Sequence, residues 1–122
     1  MYGGTLIQDI GSEYPGALEH EQRHLNIHMS KPSHKIKVMK DTLLHKIVQA
    51  DEIEVNSSHH QAVKSIGKDM IISSVSIPDN IVESIEMPQY PFVLGVEWHP
   101  EFIASKADSL IIEAFIQASR KI

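Results

Sequence analysis

Phe92-Val93-Leu94-Gly95-Val96-Glu97-Trp98-His99-Pro100-Glu101 begins as an unbroken apolar run and ends in a histidine set between two carboxylates. Five apolar residues in a row predict a strand buried on both faces. Such a strand delivers His99 to its C-terminal end, where Pro100 stiffens the backbone and Glu101 can turn back toward the imidazole. A histidine oriented by a carboxylate is the base half of a nucleophile–base–orienter triad. The alternative is a histidine tucked under Trp98 with Glu101 solvated, and at this level both readings stand.

Downstream, Ala107, Leu110, Ile111, Ala114, Phe115 and Ala118 fall at i, i+3, i+4, i+7, i+8 and i+11, one apolar helical stripe. Ser105 with Asp108 three residues on predicts a capping-box-like start. Upstream, Met70 to Ile77 is rich in β-branched residues and Ile81 to Ile85 alternates, with Pro78-Asp79-Asn80 as the turn between two strands. His34 to Val38 alternates like a half-buried strand. Asp41 or Thr42 can cap a short helical turn over Leu43 to Val48. Ile53 to Val55 reads as a short strand, and residues 11–33, with Gly11, Pro15, Gly16 and Pro32, as a long surface loop. Strands with a terminal amphipathic helix give an α/β domain.

The 122 residues, 42% hydrophobic, suit one folding unit. Eleven Lys and Arg against sixteen Asp and Glu leave a net charge of −5, which excludes a wide basic face for nucleic acid. There is no cysteine, hence no disulfide, no thiolate zinc site and no cysteine nucleophile in this chain. Met1-Tyr2-Gly3-Gly4 is not a basic leader, and no apolar run approaches the ~20 residues of a bilayer helix. The expectation is a soluble, cytoplasmic protein with no membrane or nucleic-acid partner.

Two polar patterns compete for chemistry. His20-Glu21-Gln22-Arg23-His24 is a literal H-E-x-x-H, which on a helix would present two imidazoles to zinc. Its flanks are polar, and Pro15 and Gly16 lie just upstream, so a solvated, His-rich loop containing His20, His24 and His28 is expected, with no metal. Asn56-Ser57-Ser58-His59-His60-Gln61 follows a strand directly. It is either a polar loop that satisfies its own backbone or a substrate cradle at a strand end.

The chain resembles the C-terminal part of class I glutamine amidotransferase-like hydrolases, most closely the gamma-glutamyl-gamma-aminobutyrate hydrolase group. Gly3-Gly4-Thr5-Leu6-Ile7-Gln8-Asp9-Ile10, His34 to Val38, Val55 to Gln61 and Leu94 to Glu101 carry the likeness. The resemblance implies the C-terminal portion of a flavodoxin-like domain, three-layered, with a mostly parallel sheet and a terminal amphipathic helix. It implies that His99 and Glu101 complete a Cys-His-Glu triad whose cysteine precedes the segment matching Gly3 to Leu6. Residues 1–122 are then expected to be a partial domain lacking the N-terminal half, the nucleophile elbow and one oxyanion-hole amide. Asn56, Ser57, His59 and Gln61 are implied to hold a small gamma-glutamyl substrate, with no cofactor. The expected partners are an N-terminal polypeptide or a second copy paired through an exposed sheet edge. Two alternatives remain: a non-catalytic remnant or interaction module, and an ammonia-delivering glutaminase subunit of a synthase.

Overall fold

Alternation along His34-Lys35-Ile36-Lys37-Val38 buries Ile36 and Val38 and leaves both lysines exposed, and that strand anchors the main sheet. The computed structural model describes residues 2–121; the elements below are those of the described residues. They comprise β1 (Thr5–Ile7), α1 (Ile10–Glu13), β2 (His34–Val38), α2 (Leu43–Val48), β3 (Glu52–Val55) and β4 (Ala62–Ser65). β5 (Ile71–Ser76), β6 (Val82–Glu86), β7 (Leu94–Val96) and α3 (Lys106–Ser119) follow.

Five strands form one sheet in the order β3-β2-β5-β6-β7, and β1 and β4 form a two-stranded sheet beside it. The α/β class is as expected, but every ladder in the described residues is antiparallel, where a mostly parallel sheet was expected. Short connections join β5 to β6 and β6 to β7, which favours antiparallel neighbours, whereas β1–β4 and β2–β5 pair antiparallel across long stretches of chain. The β5–β6 ladder slips twice. Ile72 pairs with Ile85, Ser74 with Ser84 and Val75 with Val82, which leaves Ser73 and Glu83 each without an opposite residue. Bulges of this kind re-aim a side chain and bend the strand.

The main core fills the space between the sheet and the two longer helices. Ile36, Val38, Leu44, Val48, Val55, Trp98, Ala107 and Ile111 are its buried members, flanked by Leu94 and Val96. Fully burying one such aliphatic side chain contributes about 1.5–3 kcal/mol. Thr42 caps α2 by accepting the His45 N–H, as the sequence suggests. The sheet adds a second cap, because buried Glu86 of β6 accepts the N–H groups of both Leu43 and Leu44 at 2.8 Å. A smaller core joins Ile7, Ile10, Ala62 and Ile81 under the two-stranded sheet.

Three expectations fail locally. β7 is an edge strand with only β6 beside it, and Gly95 and Val93 are exposed, so it is not buried on both faces. The stripe on α3 holds at Ala107 and Ile111, but Phe115 is 59% exposed. Ser105 stands at the N-cap position of α3 without a side-chain cap bond. Asp108 instead reaches back to accept the Ala104 N–H at 2.9 Å.

Candidate active site and a buried histidine cluster

The turn after β7 is fixed from two sides before any ring is placed. Trp98 is buried in the main core, and its Nε1–H donates to Asp108 Oδ1 of α3 at 3.2 Å. Burial pushes the Asp108 carboxyl above the ordinary aspartate range. On the other side the Asn56 amide clasps the His99 backbone. Its Oδ1 accepts the His99 N–H at 2.8 Å and its Nδ2 donates to the His99 carbonyl at 3.0 Å. A second bond from Nδ2 to the Met29 carbonyl, 2.8 Å, ties in the long loop. Pro100 then opens a short 3-10 turn, Pro100–Phe102, as its fixed φ favours.

That backbone projects the His99 and Glu101 side chains outward together. His99 Nδ1 lies 3.0 Å from Glu101 Oε2. Slight burial raises the Glu101 carboxyl, but its own backbone N–H and His99 lower it further, so it sits below the ordinary range. An ionised carboxylate only accepts, so Nδ1 carries the proton and Nε2 keeps its lone pair. The His99 side chain is 39% exposed, leaving that nitrogen open to a reacting group.

The Asn56–Gln61 loop is committed to protein partners. Asn56 and Ser57 are fully buried. Ser57 N–H donates to Gln22 Oε1 at 2.7 Å and its hydroxyl donates to the His20 carbonyl at 2.8 Å. The Gln61 amide donates to Gln8 Oε1 at 3.2 Å, and His59 Nδ1 faces the Gln61 carbonyl at 2.8 Å. Of the four residues expected to touch substrate, Asn56 and Ser57 are braces with no surface of their own.

The H-E-x-x-H segment is not the solvated loop expected. His20 is 2% exposed and Gln22 fully buried, whereas His24 and His28 lie outside. The segment forms a 3-10 turn over Gln22–Leu25 rather than an α-helix, so His20 and His24 do not share a face. Gln22 spends its amide on the loop itself, donating to the His28 and Lys31 carbonyls at 2.8 and 2.9 Å.

His20 instead meets two histidines from other elements around Glu83, the residue displaced by the bulge. His20 Nδ1, His34 Nε2 and His59 Nε2 stand 3.5, 3.6 and 3.6 Å from the same oxygen, Glu83 Oε1. On its far side His20 Nε2 donates to Asp79 Oδ2 at 2.7 Å. Burial raises the Asp79 carboxyl, and the bonds from His20 and the Leu18 N–H lower it more, for a net lowering. Burial lowers His34, whereas for His59 the Glu83 carboxylate outweighs burial and raises it. Burial also raises Glu97, whose carboxylate lies 3.9 Å from His59 Nδ1. Glu83, Asp79 and His34 were not anticipated as site residues. The signal available was a pair of glutamates, Glu83 and Glu86, inside a short strand of otherwise small and apolar residues.

Residues 1–101 match the sequence profile of the family described as Peptidase C26. The gamma-glutamyl-gamma-aminobutyrate hydrolase PuuD of Escherichia coli K12 is 34% identical over 121 residues, covering 95% of this chain and 47% of that protein. The glutaminase domain of Trypanosoma brucei CTPS aligns with a TM-score of 0.60 at 22% identity, covering 84% of this chain and 44% of that one. A glutamine amidotransferase of Thermotoga maritima aligns at 0.52 and 11% identity, over 98% of this chain and 42% of that one. The chain spans about half, or less, of the curated relatives it matches.

Proposed function

Because the chain belongs to the Peptidase C26 family, we propose that it supplies the acid–base half of a cysteine-dependent gamma-glutamyl amide hydrolase. The His99–Glu101 pair carries this reading: a carboxylate at 3.0 Å fixes the tautomer and leaves Nε2 as an open base. With no cysteine among the 122 residues, the thiol comes from outside them. His99 Nε2 takes the thiol proton as sulfur attacks the amide carbon, and returns it to the leaving amine as the C–N bond breaks. Water, deprotonated by the same nitrogen, then attacks the thioester carbon; the C–S bond breaks, the proton returns to the departing sulfur, and the free gamma-carboxylate is released. Glu101 holds the ring and stabilises the imidazolium during both steps. Asn56 acts as a positioning residue through the His99 backbone, and Ser57 and His59 through the loop they brace from within; Gln61 stands nearest to a substrate-facing role. The likeness to PuuD, a gamma-glutamyl-gamma-aminobutyrate hydrolase, supports a gamma-glutamyl-gamma-aminobutyrate-like substrate.

The test uses gamma-glutamyl-p-nitroanilide with residues 1–122 alone and with the same chain completed by a family N-terminal half bearing the cysteine. The chain alone should show no turnover and the completed protein should show it. His99→Asn should abolish that turnover; Glu101→Gln should cut it severely without abolishing it. Steady turnover by the cysteine-free chain, or a completed protein indifferent to His99→Asn, defeats the proposal.

A further inference from the structure

The buried histidines are arranged so that each spends one nitrogen on an acceptor and turns the other toward one carboxylate. His20 Nε2 faces the Asp79 carboxylate, His59 Nδ1 the Gln61 carbonyl and His34 Nδ1 the Lys35 carbonyl at 3.2 Å. Carboxylates and carbonyls only accept, so these three nitrogens carry the protons. In its neutral form each ring therefore turns an unprotonated nitrogen, His20 Nδ1, His34 Nε2 or His59 Nε2, toward Glu83 Oε1. Ser57 Oγ lies 3.4 Å from His20 Nδ1, but its proton goes to the His20 carbonyl. His34 Nε2, His59 Nε2 and both Glu83 oxygens are buried with no hydrogen-bond partner. Three ring nitrogens and a carboxylate converge without a hydrogen bond between them, in a place where unpaired polar groups are costly.

We propose that His20 Nδ1, His34 Nε2, His59 Nε2 and a Glu83 carboxylate oxygen bind one divalent transition-metal ion of the zinc class. The ligand atoms of His20, His34 and Glu83 lie within 4.8 Å of one another, the one such group of potential metal ligands among the described residues; His59 lies outside that group and is placed as the fourth ligand by its Nε2, 3.6 Å from the shared Glu83 Oε1. Nitrogen–oxygen separations of 3.5–3.6 Å lie close to the ~3.4 Å edge of a tetrahedron with zinc bonds of ~2.0–2.1 Å. Three imidazoles and one carboxylate select zinc-like ions over calcium or magnesium. The outer partners complete the pattern, since a ligating histidine commonly donates its other N–H to a carboxylate or carbonyl. All four side chains are at least nine-tenths buried. A depression of about 370 Å³ on the surface has His20 and His59 in its lining, beside His24 and His60. With four protein ligands the site is structural: it staples the long loop, β2, β6 and the Asn56–Gln61 loop to one point. It is independent of the cysteine chemistry proposed above.

The test is zinc uptake by untagged, chelator-stripped chain, in competition with a chromophoric chelator, followed by cobalt(II) spectroscopy and thermal melts. One zinc per chain at micromolar affinity or tighter, a higher melting temperature and the intense visible bands of tetrahedral cobalt(II) are expected. Glu83→Gln and His34→Gln should each weaken uptake at least tenfold, and His24→Ala should not change it. Circular dichroism separates lost ligands from lost folding; the cobalt spectrum of the unaltered chain needs no variant. Folded chain that takes up no zinc, gives octahedral cobalt bands, or loses zinc with His24→Ala while Glu83→Gln keeps it, overturns the proposal.

Discussion

Replacing Asn56 by alanine removes three hydrogen bonds from a fully buried side chain, two to the His99 backbone and one to the Met29 carbonyl. At about 0.5–1.5 kcal/mol net per bond, the loss is about 2–4 kcal/mol. That is a large share of the 5–15 kcal/mol typical of a domain. In urea, at a slope of about 2 kcal/mol per molar, mid-range for a small domain, the midpoint should fall by about 1–2 M at unchanged slope. Asn56→Asp separates hydrogen bonding from size. Its carboxylate can still accept the His99 N–H but faces two carbonyls it cannot serve, so at pH 7 it should cost at least as much as alanine. The folded state then raises the new carboxyl above its unfolded value of ~3.9, so the penalty is full above the folded value and fades as pH falls. Urea melts of the chain and both variants between pH 4 and 8, values spanning ~3.9 upward, supply the comparison. An alanine loss under about 0.5 kcal/mol, or an aspartate variant as stable as the parent at neutral pH, refutes the clasp.

Other outcomes are equally specific. In metal-free chain the His34 imidazole should titrate below ~6.5 and His59 above it, by NMR. His34 then contributes stability that is complete above ~6.5 and lost as pH falls through its folded value; His59 contributes stability complete below ~6.5 and lost on the alkaline side. Equal midpoints contradict the cluster geometry. Trp98→Phe keeps most of the packing but strands buried Asp108, and should cost about 1–3 kcal/mol by denaturant melts. Because β7 is an open edge, the chain should self-associate with concentration, and Val93→Lys should suppress this in light scattering. A strictly monomeric parent at high concentration counts against pairing through that edge.

What the sequence disclosed and what it hid divide along a physical line. His99 and Glu101 are two residues apart around a proline, so their meeting is local and legible in the spacing. So is the Thr42 cap. The antiparallel order of the sheet is a property of long-range pairing, and local alternation carries no information about strand direction. His20 was misread because its neighbours are polar; its burial depends on Asp79 and Glu83, some sixty residues away. Glu83 is not legible because the second of the two slips in the β5–β6 register, invisible in the pattern of Ile81 to Ile85, leaves it without an opposite residue. The edge position of β7 was likewise hidden, since an apolar run looks the same whether or not neighbours cover it.

The two-sided hold on the Trp98–His99 backbone has a consequence for encounter. Ordering one residue's backbone costs about 1–2 kcal/mol in entropy. Asn56 on one flank and Asp108 on the other impose that order during folding of this chain. Under the proposed function, an incoming nucleophile would meet a base whose backbone is already fixed, and the geometry of approach would be set by the arriving group. Variation in reactivity among completed assemblies should then track how the incoming surface docks, while the His99 ring keeps the same pivot in all of them.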